Sequence, residues 1–226
     1  MSLVPSVTET LSAWDVEPVA CTRFCERNDL THVGGTKNPD IDAIVSLRPD
    51  LVVVDRQENR REDAEALMAA GLDVLALDVV SLAGLDAELG RLAAAVGTEA
   101  PIQPVREYDA LGLRAFVPIW RRPWMTIARN TYGSSALAAL GVANVFADAA
   151  TDYPVVELDA VRDRHPDIVL VPSEPYDFTD DHVAELEAIA PALRVDGQDL
   201  FWWGARTPGA LARLHAAIGA APGLPD

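Results

Sequence analysis

The stretch IDAIVSLRPDLVVVD, Ile41–Asp55, carries a pattern that the chain uses twice. At Leu158–Pro172 it returns as LDAVRDRHPDIVLVP, and a gapless alignment matches Asp42 with Asp159, Ala43 with Ala160, Pro49 with Pro166, Asp50 with Asp167, Val52 with Val169 and Val54 with Val171. Each copy reads as a short helix, a Pro-Asp turn and an unbroken apolar run. Such a run, without alternation, marks a strand covered on both faces of a parallel sheet. A unit repeated at about half the chain's length predicts two similar lobes, and two lobes predict a ligand cleft between them.

Working outward, Ser2–Pro5 reads as a first strand, with Ser6 or Thr8 capping a helix that runs to about Trp14. Pro18–Cys21 reads as a second short strand, and Thr22–Asp40 as a long polar loop with Gly34-Gly35 inside it. After the first copy come helix 60–70 closed by Gly71, strand 72–77 and helix 82–96 closed by Gly97. The linking segment 98–113 opens with Pro101 and Pro104, and VREYDALGL within it has the composition of a helix of two to three turns. The second half repeats the plan: strand 115–119, the turn WRRPW, strand 125–127, helix 132–140, strand 144–146, the second copy, helix 180–189, strand 193–195, the segment DGQDLFWWG and helix 207–218. Alternating helices and strands with right-handed crossovers predict an α/β fold with mainly parallel sheets. The expected organisation is an N-terminal lobe over 1–97, a helical connector over 98–113 and a C-terminal lobe over 114–226.

The 226 residues suffice for a substantial core, and a net charge of -17 argues against nucleic acid or an anionic membrane surface as partner. No apolar run reaches the length that crosses a bilayer. The opening MSLVPSVTETL has neither a basic n-region nor an apolar h-region, so the sequence as it stands reads as cytoplasmic, and as extracytoplasmic if a leader has been trimmed. Cys21 and Cys25 are the only cysteines, and a lone C-x3-C reads as two reduced thiols beside a strand end.

Ligands of open α/β sheets sit beyond the carboxyl ends of the strands. The residues falling there include Ser6, Arg23-Phe24 and Asp55–Asn59 in the first half. The second half contributes Trp120–Trp124, Ser173–Tyr176 and Asp199–Trp203. Four of the five tryptophans thus occupy two strand-end loops, with arginines nearby. Such a set suits a large, partly flat organic ligand through stacking and cation–π contact; packing into a core or an interface is the competing reading. No G-x-S-x-G, P-loop, G-x-G-x-x-G or H-E-x-x-H occurs, and the histidines at 32, 165, 182 and 215 are scattered, so no catalytic residue or metal-ligand set is assigned.

Four segments carry a family resemblance: SLVPSVTETL, VGGTKNPDIDAIVSLRPDLVVVD, TYGSSALAALGVANVF and HPDIVLVPSEPY. Through them almost the entire chain resembles the substrate-binding proteins of ABC importers with a helical backbone, the class that includes vitamin B12 and iron-siderophore receptors. The resemblance implies two α/β lobes joined by a rigid helix, a monomer, no cofactor of its own and no enzymatic activity. By the same resemblance the cleft is lined by Ser6, Phe24, Gly35, Asp55, Trp120, Trp124, Tyr132, Tyr176 and Trp202, with Arg121 beside them. Glu58 or Glu62 on one lobe and Glu174 on the other match the acidic residues that meet arginines of an ABC permease; a solvated loop carboxylate and a helix-start charge are the plain alternatives. The several histidines of the zinc and manganese branch are missing. An aromatic cleft with Arg23, Arg121 and Arg122 suits a corrinoid, haem or anionic iron-siderophore better than a bare ion. Two other functions stay open: an intracellular relative that binds a corrinoid or other cofactor without a transporter, and a cleft enzyme using Glu174, Asp199 and Arg121.

Overall fold

The computed structural model describes residues 1–99 and 103–223. The chain forms two compact units, one comprising 1–79, 83–103 and 203–205, the other 80–82, 104–202 and 206–226.

In the first unit Ser2 bridges Val53 in parallel and is followed at once by α1 (Pro5–Ala13). The expected strand over 2–5 therefore shrinks to a single bridge. Pro5 takes the first helical turn, where a missing N–H costs nothing, and the N-cap is Val4, with no capping side chain, in place of Ser6 or Thr8. The predicted long loop 22–40 contains two small pairings: β1 (Ala20–Cys21) runs parallel to β2 (Thr31–His32), and β3 (Gly34–Gly35) antiparallel to β4 (Asn38–Pro39). Then come α2 (Ile41–Leu47), β5 (Val52–Asp55), α3 (Arg61–Ala69), β6 (Val74–Leu77) and α4 (Leu82–Val96). Strands β5 and β6 pair in parallel, and Leu3, Ala20, Val33, Ile44, Val52, Val54 and Leu67 form the core around them. Cys21 and Cys25 are free and buried there. Burial, and next the neighbouring Cys25, push the Cys21 thiol up to about 12, so it stays protonated and a poor nucleophile.

In the second unit β7 (Leu113–Phe116) leads to the antiparallel pair β8 (Pro118–Trp120) and β9 (Met125–Thr126), then α5 (Tyr132–Ala139) and β10 (Val142–Asn144). They are followed by α6 (Leu158–Asp163), β11 (Ile168–Pro172), α7 (Asp180–Glu187), β12 (Ala192–Val195), α8 (Gly197–Phe201) and α9 (Thr207–Gly219). The sheet runs β10-β7-β11-β12 with every pairing parallel. All five residues of β11 are buried, as a strand covered on both faces requires. Phe116, Val161 and Leu186 pack with its Val169 and Val171.

Two further expectations need correction. The helix expected over 105–113 does not form: residues 103–112 are irregular, and β7 begins at Leu113. Residues 100–102 of the expected connector lie outside the described residues. Tertiary bonds hold the irregular stretch. Tyr108 donates to the Pro208 carbonyl at 3.4 Å, and the amides of Leu111 and Gly112 donate to Leu140 and Gly141 at 3.0 Å. The two amides committed in this way are unavailable to a helix ladder. The segment DGQDLFWWG, left without regular structure above, contains α8, whose N-cap Asp196 accepts from the Gln198 amide.

The repeat holds down to backbone conformation. Copies α2–β5 and α6–β11 each end their helix with one left-handed residue before the Pro-Asp turn, Arg48 at φ 46° and His165 at φ 47°. These are equivalent positions. A residue before proline is kept out of the right-handed helical region, and the left-handed one turns the chain sharply into the strand.

Candidate functional site

In the first unit the strand-end loops are knit together around Asp55 and Asn59. Asn59 Oδ1 accepts from the Asp55 amide at 2.8 Å, while its Nδ2 donates to the carbonyls of Leu3 at 3.2 Å and Thr36 at 2.9 Å. Lys37 Nζ adds a bond to the Gln57 carbonyl at 2.7 Å. The start of α1, the β3–β4 hairpin and the loop after β5 thus form one ledge. Ser6 lies in it, buried, with its carbonyl accepting from Thr10 Oγ1. Phe24 stands on it, exposed, with the Arg23 guanidinium 4.8 Å from its ring centre. Gly35 lies beneath that pair: a Cβ there would come within 3.0 Å of Phe24 and 3.1 Å of Arg23.

Asp55 is 1% exposed. Its Oδ1 accepts from the amides of Gln57 at 2.8 Å and Glu58 at 3.2 Å, a turn closed by a side chain. Its Oδ2 is buried without a hydrogen-bond partner. Burial is the main cause pushing this carboxyl up to about 7, and the amide bonds oppose it. Glu58 and Glu62 are exposed; Glu62, in the first turn of α3, lies 3.9 Å from Arg60.

In the second unit four of the predicted residues come together. Trp120, 44% exposed at the end of β8, meets Tyr176 edge-on at 5.0 Å; Tyr176 leans on Phe178 at 4.8 Å, and Trp124 stacks flat on Phe178 at 5.9 Å. Arg121 lies 5.4 Å from the Trp124 ring and bonds Glu185 through Nε at 3.2 Å and its terminal nitrogen at 2.8 Å. Its charge is therefore compensated inside the unit. Phe178, Glu185 and His182 complete the cluster, and sequence reasoning assigned none of them to it. His182 caps its own helix, with Nδ1 accepting from the Thr179 amide, while its ring lies 5.9 Å from Tyr176. Thr179-x-x-His182 imitates a capping box, the one signal that marks this position in the sequence.

Tyr132 and Trp202 stand on other elements of this unit. Tyr132 opens α5, is buried, and shares a 2.8 Å hydrogen bond with Thr207 Oγ1; burial pushes its phenol up to about 12. Trp202 follows α8 and donates from Nε1 to Glu174 Oε1 at 2.6 Å, with the Arg206 guanidinium 5.3 Å from its ring. The adjacent Trp203, by contrast, is buried at 4% exposure. Nearby, the buried carboxylate of Asp199 receives a two-pronged bond from Arg213 at 2.6 and 2.7 Å. That pairing makes Asp199 a structural anchor.

Among the described residues there is no cluster of three or more histidine, cysteine, aspartate or glutamate side chains able to hold a metal ion, and no helix long and apolar enough to cross a membrane. The first unit presents one exposed ring, Phe24, over a buried, hydrogen-bonded base, and the second a cluster of partly exposed rings packed on Phe178, a surface whose available chemistry is stacking and van der Waals contact.

Residues 1–112 match the periplasmic binding protein family. The vitamin B12-binding protein of Salmonella typhi is 27% identical over 188 residues, spanning 76% of this chain and 71% of its own length. That of Pectobacterium carotovorum is 25% identical over 202 residues, spanning 77% and 71%. Among solved structures, the periplasmic vitamin B12-binding protein of Vibrio cholerae superimposes with a TM-score of 0.75 at 19% identity, covering 96% of this chain and 94% of that one. A periplasmic haem-binding protein of Pseudomonas aeruginosa gives 0.76 at 19% identity, covering 99% and 94%. These two likenesses establish the fold.

Proposed function

We propose that the chain, whose residues 1–112 match the periplasmic binding protein family, is a substrate-binding protein of the ABC-importer class that binds a metal-chelate ligand, a corrinoid, haem or ferric siderophore, without chemical change, and hands it to an ABC permease. The observation that carries this reading is the half-exposed aromatic cluster Trp120–Tyr176–Trp124 at the strand ends of the second unit. Rings already fixed against one another lose little conformational entropy when a flat macrocycle covers them. The names of the relatives, which bind vitamin B12 or haem, support the ligand class.

Within this reading the partly exposed Trp120, Trp124, Tyr176 and Trp202 of the second unit touch the ligand, and Phe24 is the exposed ring that the first unit offers. Ser6, Gly35, Asp55 and Tyr132 are buried and support the contact layer from below. Arg121, paired with Glu185, orients Trp124 more than it attracts an anion. Glu58 and Glu62, exposed on the first unit, are the proposed permease-docking charges.

Titration with cyanocobalamin, haemin and a ferric hydroxamate, followed by tryptophan emission, tests the proposal. At least one of them should quench the emission saturably. Trp120→Ala should then weaken that ligand about tenfold, the scale of one lost stacking anchor. Trp124→Ala, whose ring packs on the core, should lower the melting temperature as well. Silence towards all three ligands defeats the ligand class.

A further inference from the structure

Glu174 enters the sequence reading as a charge on a loop tip, available to a partner. The structure gives it a different setting. Its Oε1 accepts a 2.6 Å hydrogen bond from the indole Nε1 of Trp202, across 28 residues of sequence. The loop carrying it is pressed against the start of α8. There Gly197 donates its amide to Ser173 Oγ at 2.9 Å, and a Cβ on Gly197 would lie 2.5 Å from Glu174 Cγ and 2.6 Å from the Glu174 amide nitrogen. Only glycine admits that approach. α8 in turn ends at Trp202, its C-cap residue, over whose ring Arg206 lies at 5.3 Å. The indole is thus gripped at its N–H by a carboxylate and on its face by a guanidinium, while part of its surface remains open to solvent.

We propose that Glu174 is a positioning residue, which fixes the plane of the Trp202 indole for ligand stacking and does not serve as a free docking charge. An indole has one donor and turns about two side-chain torsions. A charged acceptor at 2.6 Å selects a single orientation, since charge-assisted hydrogen bonds are about twice as strong as neutral ones. The arrangement prepares a flat surface before any ligand arrives, which lowers the entropic cost of binding. This inference rests on the reading of Trp202 as a ligand-contacting ring.

The two candidate roles of Glu174 separate on charge against geometry. Glutamine keeps an acceptor oxygen in the same place and loses the charge; alanine loses both. The first measurement needs no ligand: the indole N–H resonances of ¹⁵N-tryptophan-labelled full-length protein, with Trp202 assigned by its disappearance in Trp202→Phe. Glu174→Gln should leave that resonance single and hydrogen-bonded, and Glu174→Ala should shift or broaden it. The second is titration with haemin and cyanocobalamin. For whichever binds, Glu174→Ala should weaken affinity about three- to tenfold, the scale of one net hydrogen bond, and Glu174→Gln should stay within about twofold. An unmoved Trp202 resonance in Glu174→Ala overturns the proposal, as does equal weakening by Gln and Ala. If neither ligand binds, or if Trp202→Phe binds as well as the parent, the ligand reading fails and the resonance still decides what Glu174 does.

Discussion

Asp55 is an acid at the end of a buried strand that is itself only 1% exposed. Its place after a buried strand drew attention to it, yet the side chain faces inward and closes the turn through Gln57 and Glu58. A carboxyl held near 7 binds its proton more tightly in the native state than in the unfolded chain, where the ordinary value is 3.8. Between about pH 4 and pH 7 the native state therefore holds the extra proton. The stability this group contributes is present in full at the acid end and is lost as pH rises, by a few kcal/mol at most. Asp55→Asn keeps the Oδ1 acceptor and removes the charge. Thermal melts at pH 5 and pH 8 should show little change at the lower pH and a higher melting temperature at the upper one. Equal destabilisation at both would mean that the carboxylate is wanted ionised.

Elements are where the repeat has its force. Helix, left-handed exit, Pro-Asp turn and buried strand recur together, because the turn must redirect the chain within two residues and proline forbids the helix to continue. Arg48 and His165 meet that demand with side chains that are both exposed and suffer the Cβ–carbonyl crowding of the left-handed region. Arg48→Gly and His165→Gly should each raise the urea midpoint, corresponding to up to about 1 kcal/mol of unfolding free energy, the strain relieved exceeding the added freedom of the unfolded chain. The gains should add, since the two sites lie in different units. A loss at either position would show that its side chain contributes something the backbone argument omits.

For the molecule as a whole, the chain passes between its units more than once: 80–82 belong with the second unit, and 203–205 belong with the first although they come from the far end of the sequence. That short return is held at Gly204, φ 122°, where a Cβ would lie 2.0 Å from Thr10 Oγ1, and Thr10 Oγ1 also accepts from the Ala205 amide at 3.2 Å. Gly204→Ala should therefore destabilise the protein by about 2 kcal/mol or more, through steric overlap and a positive φ at once. Calorimetry will register this as a lowered transition. An unchanged transition would mean that the 203–205 return adds nothing to the stability of the first unit.

Periodicity and the repeat alone determined the α/β class, the parallel sheets and the position of the strand-end loops, because buried strands and capped helices are written in local patterns of a few residues. They also reached the aromatic loops, since four tryptophans in two short stretches are visible without coordinates. Local pattern does not say which side of a loop faces inward. Trp202 and Trp203 are neighbours, yet one is half-exposed on Glu174 and the other buried. Nor does it reveal partners distant in sequence: Glu185 for Arg121, Phe178 for Trp124, Thr207 for Tyr132. The helix written into 105–113 does not form, and at its far end the amides of Leu111 and Gly112 are taken by Leu140 and Gly141. Such choices are made by hydrogen bonds and packing between segments that only the folded chain brings together, and there the tertiary structure decided.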